Sequence, residues 1–322
     1  MPIITKPSNH FQVVTATGAN IKSACEAVFG DGLYVIKDRA NSNNWQWIDY
    51  VRGTSAVLQS NTTAAETTYS APSGNSVGFC WKANGAGVSN TDGSITSTVS
   101  ANQEAGFSIV TYTGNGSAGA TVGHGLGVAP SLILPKVRSR SGDNWHCYHR
   151  SLGGTQGILL NSTNAASSDS GFWNNTNPSS SVITLGAYNT FSSQTYVAYC
   201  FAEIPGYSKF GSYTGNGSTD GPFVYTGGAG GFLLMKNISA GSDWWIHDGT
   251  RSPYNVVNGV LFANGAFAEY AVGEYILDFT ANGFKIRDQV ATVWNVNGNT
   301  YIYAWFARNP FGGSNCSPSP AR

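Results

Sequence analysis

The chain has 322 residues, only 17 of them basic and 17 acidic, so its formal net charge is zero and 11% of positions are charged, against about 25% in an ordinary soluble domain. Without a basic excess there is no broad phosphate-binding face, so nucleic acid is not an expected partner. Nine Trp, 16 Tyr and 16 Phe exclude disorder, because they supply apolar surface enough to offset conformational entropy, and the longest apolar runs, Tyr196 to Ala202 and Tyr301 to Ala307, fall far short of the roughly 20 residues that span a bilayer.

In chain order, residues 1–10 (MPIITKPSNH) show no signal-peptide pattern, so synthesis in a cytoplasm is expected, and they read as an N-terminal attachment segment. The spacing of Ile21, Ala24, Cys25, Val28 and Phe29 predicts one or two helical turns, the only helix-like pattern. Then follow the strand-like strings LYVIKDR (33–39), NWQWIDYVRG (44–53), VLQSNTTAAE (57–66) and VGFCWKANG (77–85), which complete a first unit over 11–87. Residues 85–105 (GAGVSNTDGSITSTVSANQEA) form a stretch of Gly, Ser and Thr without aromatic residues, of which 88–105 read as a linker.

The same order then returns. A second unit, 106–206, presents LILPKVR (132–138), NWHCYHRSLG, ILLNSTNAAS and YVAYCFAEIPG, and a third, 207–313, presents FLLMKNI (232–238), DWWIHDGTRS, VLFANGAFAE and YIYAWFARNPFG. Lys37, Lys136 and Lys236 keep step at a period of about 100, as do Trp45, Trp145 and Trp244, so all six are structural repeat markers. The first unit is truncated, lacking a counterpart of SGFWNNTNPSSSVITLG (170–186) and ILDFTANGFKIRD (276–288). Residues 314–322 read as a C-terminal tail. Within each unit the apolar period is two, with Val, Ile, Tyr, Phe, Trp and Thr in the runs and Gly, Asn, Ser and Asp between them. The expected fold is all-β: three tandem sandwich or jelly-roll-like modules of about 100 residues, the first short.

The chemical signals are sparse. His146 and His149 stand three apart on a strand, hence on opposite faces, and His149 aligns with Asp49 and Asp248, so no metal site is expected. Asp49/Arg52 and Asp248/Arg251 recur at one turn and read as ion pairs that maintain the fold, worth about 0 to 1 kcal/mol if exposed. Glu203, Glu269, Glu274 and Asp278 are available carboxylates, but no motif gathers them, and neither catalytic residues nor a cofactor are expected. Five cysteines at irregular spacing read as free thiols, Cys80 and Cys200 in the core. Trp173, Tyr188, Trp245, Tyr254 and Trp294 break the repeat pattern and are the candidate receptor-contact residues, provided their rings meet solvent.

The strings IKDRANSNNWQWIDYVRGTSAVLQSNTTAAE, YTGNGS, CFAEIPGYSKFGSYTGNG and YIYAWFARNPFGG resemble the tandem β-rich modules of tail-associated proteins from tailed bacteriophages, cyanophages included. That resemblance implies a virion structural protein made in the host cytoplasm, a tail fibre or receptor-binding subunit without catalytic motif. Its implied partners are other tail or baseplate proteins, further copies of itself in a homo-oligomer such as a trimer, and a host surface glycan or protein. A capsid decoration protein is the alternative, and a polysaccharide-degrading tail enzyme stands behind both.

Overall fold

The computed structural model describes residues 4, 6–271, 276–287 and 293–310. The first unit runs β1 (Phe11–Thr17), α1 (Gly18–Val28), β2 (Leu33–Asp38), β3 (Gln46–Asp49), β4 (Ala56–Val57), β5 (Thr67–Thr68) and β6 (Asn75–Trp81). The second comprises β7 (Val88–Asn90), β8 (Ser97–Asn102), β9 (Phe107–Thr113), β10 (Thr121–Gly123), β11 (Leu132–Val137), β12 (His146–His149), β13 (Gln156–Leu159), β14 (Ser167–Ser168), α2 (Ser170–Trp173), β15 (Val182–Thr184) and β16 (Thr195–Phe201). The third comprises β17 (Ser208–Thr214), β18 (Phe223–Tyr225), β19 (Gly228–Asn237), β20 (Trp244–Asp248), β21 (Gly259–Phe262), β22 (Tyr270–Ala271), β23 (Leu277–Thr280), β24 (Gly283–Ile286) and β25 (Thr300–Pro310).

Each unit builds one antiparallel sheet with the same internal order: β1-β6-β2-β3, β9-β16-β11-β12 and β17-β25-β19-β20. The all-β class is therefore as expected, and the lysine strands β2, β11 and β19 occupy equivalent places. The three sheets do not close three separate sandwiches. Alternate residues of their central strands converge on one core: Leu33 and Val35 of β2, Leu132 and Leu134 of β11, Phe232 and Leu234 of β19, with Phe79, Tyr199 and Ala304 from the neighbouring strands. The residues between them face outward into a second, private core of each unit, as Cys80, Cys200 and Trp305 do. Burial of both faces explains why these strands read as unbroken apolar runs.

What covers the outer face differs between units. Over the first sheet lies α1, eleven residues long rather than a turn or two, with Ile21 and Cys25 buried against it. It can approach because residue 78 is glycine; a Cβ there would lie 2.3 Å from the Cys25 Sγ. The second sheet is covered by α2 and the β10-β15 pair, the third by β18-β24-β23. The truncation of the first unit thus exchanges a small sheet for a helix.

Two segments differ from expectation. Residues 88–105 are no linker: β8 pairs along β9, and β7 along β8, extending the second sheet to eight strands. Small residues such as Ser97 and Val99 suffice for the buried side of β8, which removes the large apolar signal from the sequence. Nor does 1–10 stand wholly outside the fold, since Ile4 joins the common core and Pro7 and His10 are buried. The tail 314–322 lies outside the described residues.

The units lock together cyclically. The Trp45 indole donates to the Phe262 carbonyl of the third unit (2.8 Å), Trp145 to Gln59 of the first (2.9 Å) and Trp244 to Leu159 of the second (2.9 Å). The lysines repeat the pattern, Lys37 donating to Ala266, Lys136 to Thr63 and Lys236 to Thr163. Each ammonium also donates to a carbonyl of its own unit at 2.7 Å, and burial lowers all three pKa values to about 8. These six residues are staples between units.

Candidate functional site

The polar ends of β3, β12 and β20 are buried rather than solvated. The side chains of Asp49 and Arg52 are 0% exposed, as are those of Asp248 and Arg251, so these are interior ion pairs and the figure for an exposed pair does not apply. Arg52 also holds Glu66 (2.8 Å), and Arg251 holds Glu269 (2.8 Å). Across the interfaces Glu66 is gripped by Arg138, and Glu269 by Arg39. The third interface replaces the whole set by uncharged side chains: His149, Leu152, Ala166 and Ile238 stand where the others carry Asp, Arg, Glu and Arg. Matched loss of four charges is what balanced interior electrostatics requires.

Of the catalytic carboxylates considered, Glu203 pairs with Arg150 and Lys209, Glu269 with Arg39 and Arg251, and Asp278 with Arg287, while Glu274 lies outside the described residues. Among the described residues no group of three His, Cys, Asp or Glu side chains is placed to hold a metal, and no helix is long and apolar enough to cross a membrane. Cys25, Cys80, Cys147 and Cys200 are free and buried; Cys316 lies outside the described residues.

The five contact candidates divide. Trp173, Trp245 and Trp294 are at most 1% exposed and cannot offer a ring to a partner; they fill the outer cores, which vary between copies because each outer face has a different cover. Tyr188 and Tyr254 are exposed, at 36% and 81%.

Tyr188 stands over a cleft of about 280 Å³ whose walls include Asp143, Asn144, His146, Asp169 and Phe191. Its ring lies against the His146 imidazole (5.6 Å between centroids, 26° between planes) and edge-on to Phe172 (5.6 Å, 86°). Its hydroxyl donates to Asp169 Oδ2 at 2.7 Å, while Asp169 Oδ1 accepts the Gly171 amide at 2.7 Å. The hydroxyl first, then that amide, holds the Asp169 carboxyl below the usual carboxylate range. Gly171 is required here, because a Cβ would lie 2.4 Å from the tyrosine ring.

Below the ring, His146 Nδ1 and Asn189 Oδ1 are 2.8 Å apart, and the Asn189 amide donates to the Phe172 carbonyl. Burial lowers the His146 pKa to about 4, so the imidazole is neutral near pH 7 and its Nδ1–H donates. In the third unit the corresponding positions are Trp245 and Trp294, packed 5.8 Å apart. Exchange of an indole pair for a smaller hydrogen-bonded His–Asn pair opens the cleft in the second unit, while the equivalent face of the first unit carries a groove of about 440 Å³ among Asn43, Asn44, Gln46 and Gln59. Of its residues only Tyr188 was a sequence candidate; the paired departures at 146 and 189 were the signal available for the rest.

A larger groove, about 700 Å³, runs beside β7 and β8 among Asn84, Asn90, Asn102 and Gln103. Its amides are engaged locally, Asn90 with Asp92, Asn102 with the Lys82 carbonyl and Gln103 with that of Gly125. Apolar exposure gathers elsewhere. Among the described residues, six of the nine large hydrophobic side chains left exposed belong to the third unit: Phe223, Tyr225, Tyr254, Val256, Phe267 and Tyr270.

One family, described as a domain of unknown function (DUF7483), matches over residues 6–75 and 70–310. No curated protein and no solved structure matches the chain.

Proposed function

The chain belongs to the DUF7483 family, and from that starting point we propose that it is a non-catalytic virion component of a tailed phage, a tail fibre or receptor-binding subunit whose second and third units meet the bacterial surface. The observation that carries this reading is the crowding of exposed apolar side chains onto the third unit. Aromatic side chains are enriched where a protein surface meets a partner. The resemblance of the repeat strings to tail-associated proteins supplies the setting. The common core supplies a rigid base, since side chains displayed by a stapled scaffold lose little conformational freedom on binding.

Adsorption tests it. Purified protein is expected to bind susceptible cells and to block adsorption of the phage that carries it, and gold-labelled antibody to the chain is expected at the tail. Gold on the head with adsorption untouched would establish the decoration role instead. Release of reducing sugar from host envelope would establish an enzyme.

A further inference from the structure

Resting on the surface-contact reading, we propose that the Tyr188 cleft binds one uncharged pyranose ring of a bacterial surface glycan. A sugar ring has an apolar C–H face and a rim of hydroxyls, so its site needs an immobile aromatic face and acceptors at the ring's edge. Tyr188 is fixed on three sides, by His146 beneath, Phe172 at its edge and Asp169 at its hydroxyl. Beside it, Asp169 spends two hydrogen bonds, on the Tyr188 hydroxyl and the Gly171 amide, out of about four lone-pair sites on a carboxylate. Asn144 adds an amide to the wall. A volume near 280 Å³ suits one ring, lying just under the roughly 300–1,000 Å³ of drug-sized pockets.

Charge narrows the class. Asp169 meets the ligand as an anion. The two nearby cations are committed: Arg140 is paired bidentately with Asp143 and lies 4.0 Å over the Phe191 ring, and Lys136 is buried on the carbonyls of Asp143 and Thr63. Recognition of a carboxylated sugar calls for an available Arg or Lys, so the cleft favours neutral hexoses and their N-acetyl derivatives over uronic acids.

Calorimetric titration of the full chain with the methyl glycosides of glucose, galactose, mannose, N-acetylglucosamine and glucuronic acid tests this. At least one neutral glycoside is expected to bind with a millimolar Kd, and the glucuronide at least tenfold more weakly. Tyr188→Ala is expected to weaken the neutral ligand by at least tenfold, and Tyr188→Phe, which keeps the ring and loses its tether to Asp169, by two- to fivefold, with near-UV circular dichroism showing both variants folded. The proposal is overturned if no neutral glycoside binds, if Tyr188→Ala binds as the parent does, or if the glucuronide binds equally. No sugar binding with intact blocking of adsorption removes the sugar and leaves the surface-contact reading standing; Tyr188-dependent sugar binding without blocking does the reverse.

Discussion

Replacing Arg52 by leucine probes the interior electrostatics most directly. The guanidinium holds Asp49, Glu66 (2.8 Å), the Trp47 carbonyl (2.8 Å) and the Tyr199 hydroxyl (3.0 Å), and neither Arg52 nor Asp49 is exposed. Breaking a buried pair by removing one partner costs about 3–5 kcal/mol, because the charge left behind keeps its desolvation penalty. Asp49 retains the Tyr199 hydroxyl (2.8 Å) and a backbone amide, and Glu66 retains Arg138, which places the expected loss near the lower end, about 3 kcal/mol. That is a rise of roughly 150-fold in the unfolded-to-folded ratio. The double substitution Asp49→Asn with Arg52→Leu removes both charges while the introduced amide still accepts from Tyr199, and is expected to lose no more than half as much. Urea unfolding followed by tryptophan fluorescence measures both. If Arg52→Leu costs under about 1 kcal/mol, or the double variant is as unstable as the single, the buried-charge argument is wrong.

The cyclic staples predict near-equivalence: Trp45→Phe, Trp145→Phe and Trp244→Phe are each expected to lose about 1–3 kcal/mol, the value of an indole hydrogen bond plus its cavity, and a spread wider than that by denaturant melts would contradict three equivalent tryptophan staples. Acid should unfold the protein early. Burial lowers His146 and His149 to about 4 and His247 well below its ordinary value, so each remains neutral when folded while the unfolded chain binds protons near pH 6.5. Their stability is present above 6.5 and is lost as pH falls towards 4; His149→Gln is expected to flatten the melting-temperature profile in that window, and an unchanged profile would refute the assignment. Burial raises the Cys80 and Cys147 thiols strongly and Cys200 to about 12, so Ellman's reagent is expected to find these thiols silent in native protein and reactive in urea without reductant; a disulfide between Cys80 and Cys200 would be the contrary result.

The repeat and the all-β class were legible because they rest on period-two runs and on markers, Lys37, Lys136, Lys236 and their tryptophans, that recur. The common core was not legible, since a strand buried on both faces gives no hint of which face meets its own unit and which meets the other two. Leu33 and Tyr34 are both 0% exposed yet enter different cores. The strand Ser97–Asn102 was hidden by small side chains. Trp173, Trp245 and Trp294 misled because divergence between copies marks a changed packing partner as readily as a contact surface. The cleft was half visible: Tyr188 stood out, but His146 looked like an ordinary strand residue until Asn189, 43 positions away, was seen bonded to it.

Because the first unit closes onto the third, the bonds from Lys37 to Ala266 and from Arg39 to Glu269 join residues 229 and 230 positions apart. A ribosome must deliver most of the polypeptide before the earliest-made sheet can find its second neighbour. Until then the inward faces of the first two sheets have no third wall, and long-range closure of this kind slows folding. A truncated translation product ending near residue 206 would expose a strip of Leu, Trp and Phe, a target for chaperones and proteases. Once closed, the ring leaves each unit braced by two others, so resistance to digestion arrives in one step with the last third of the chain.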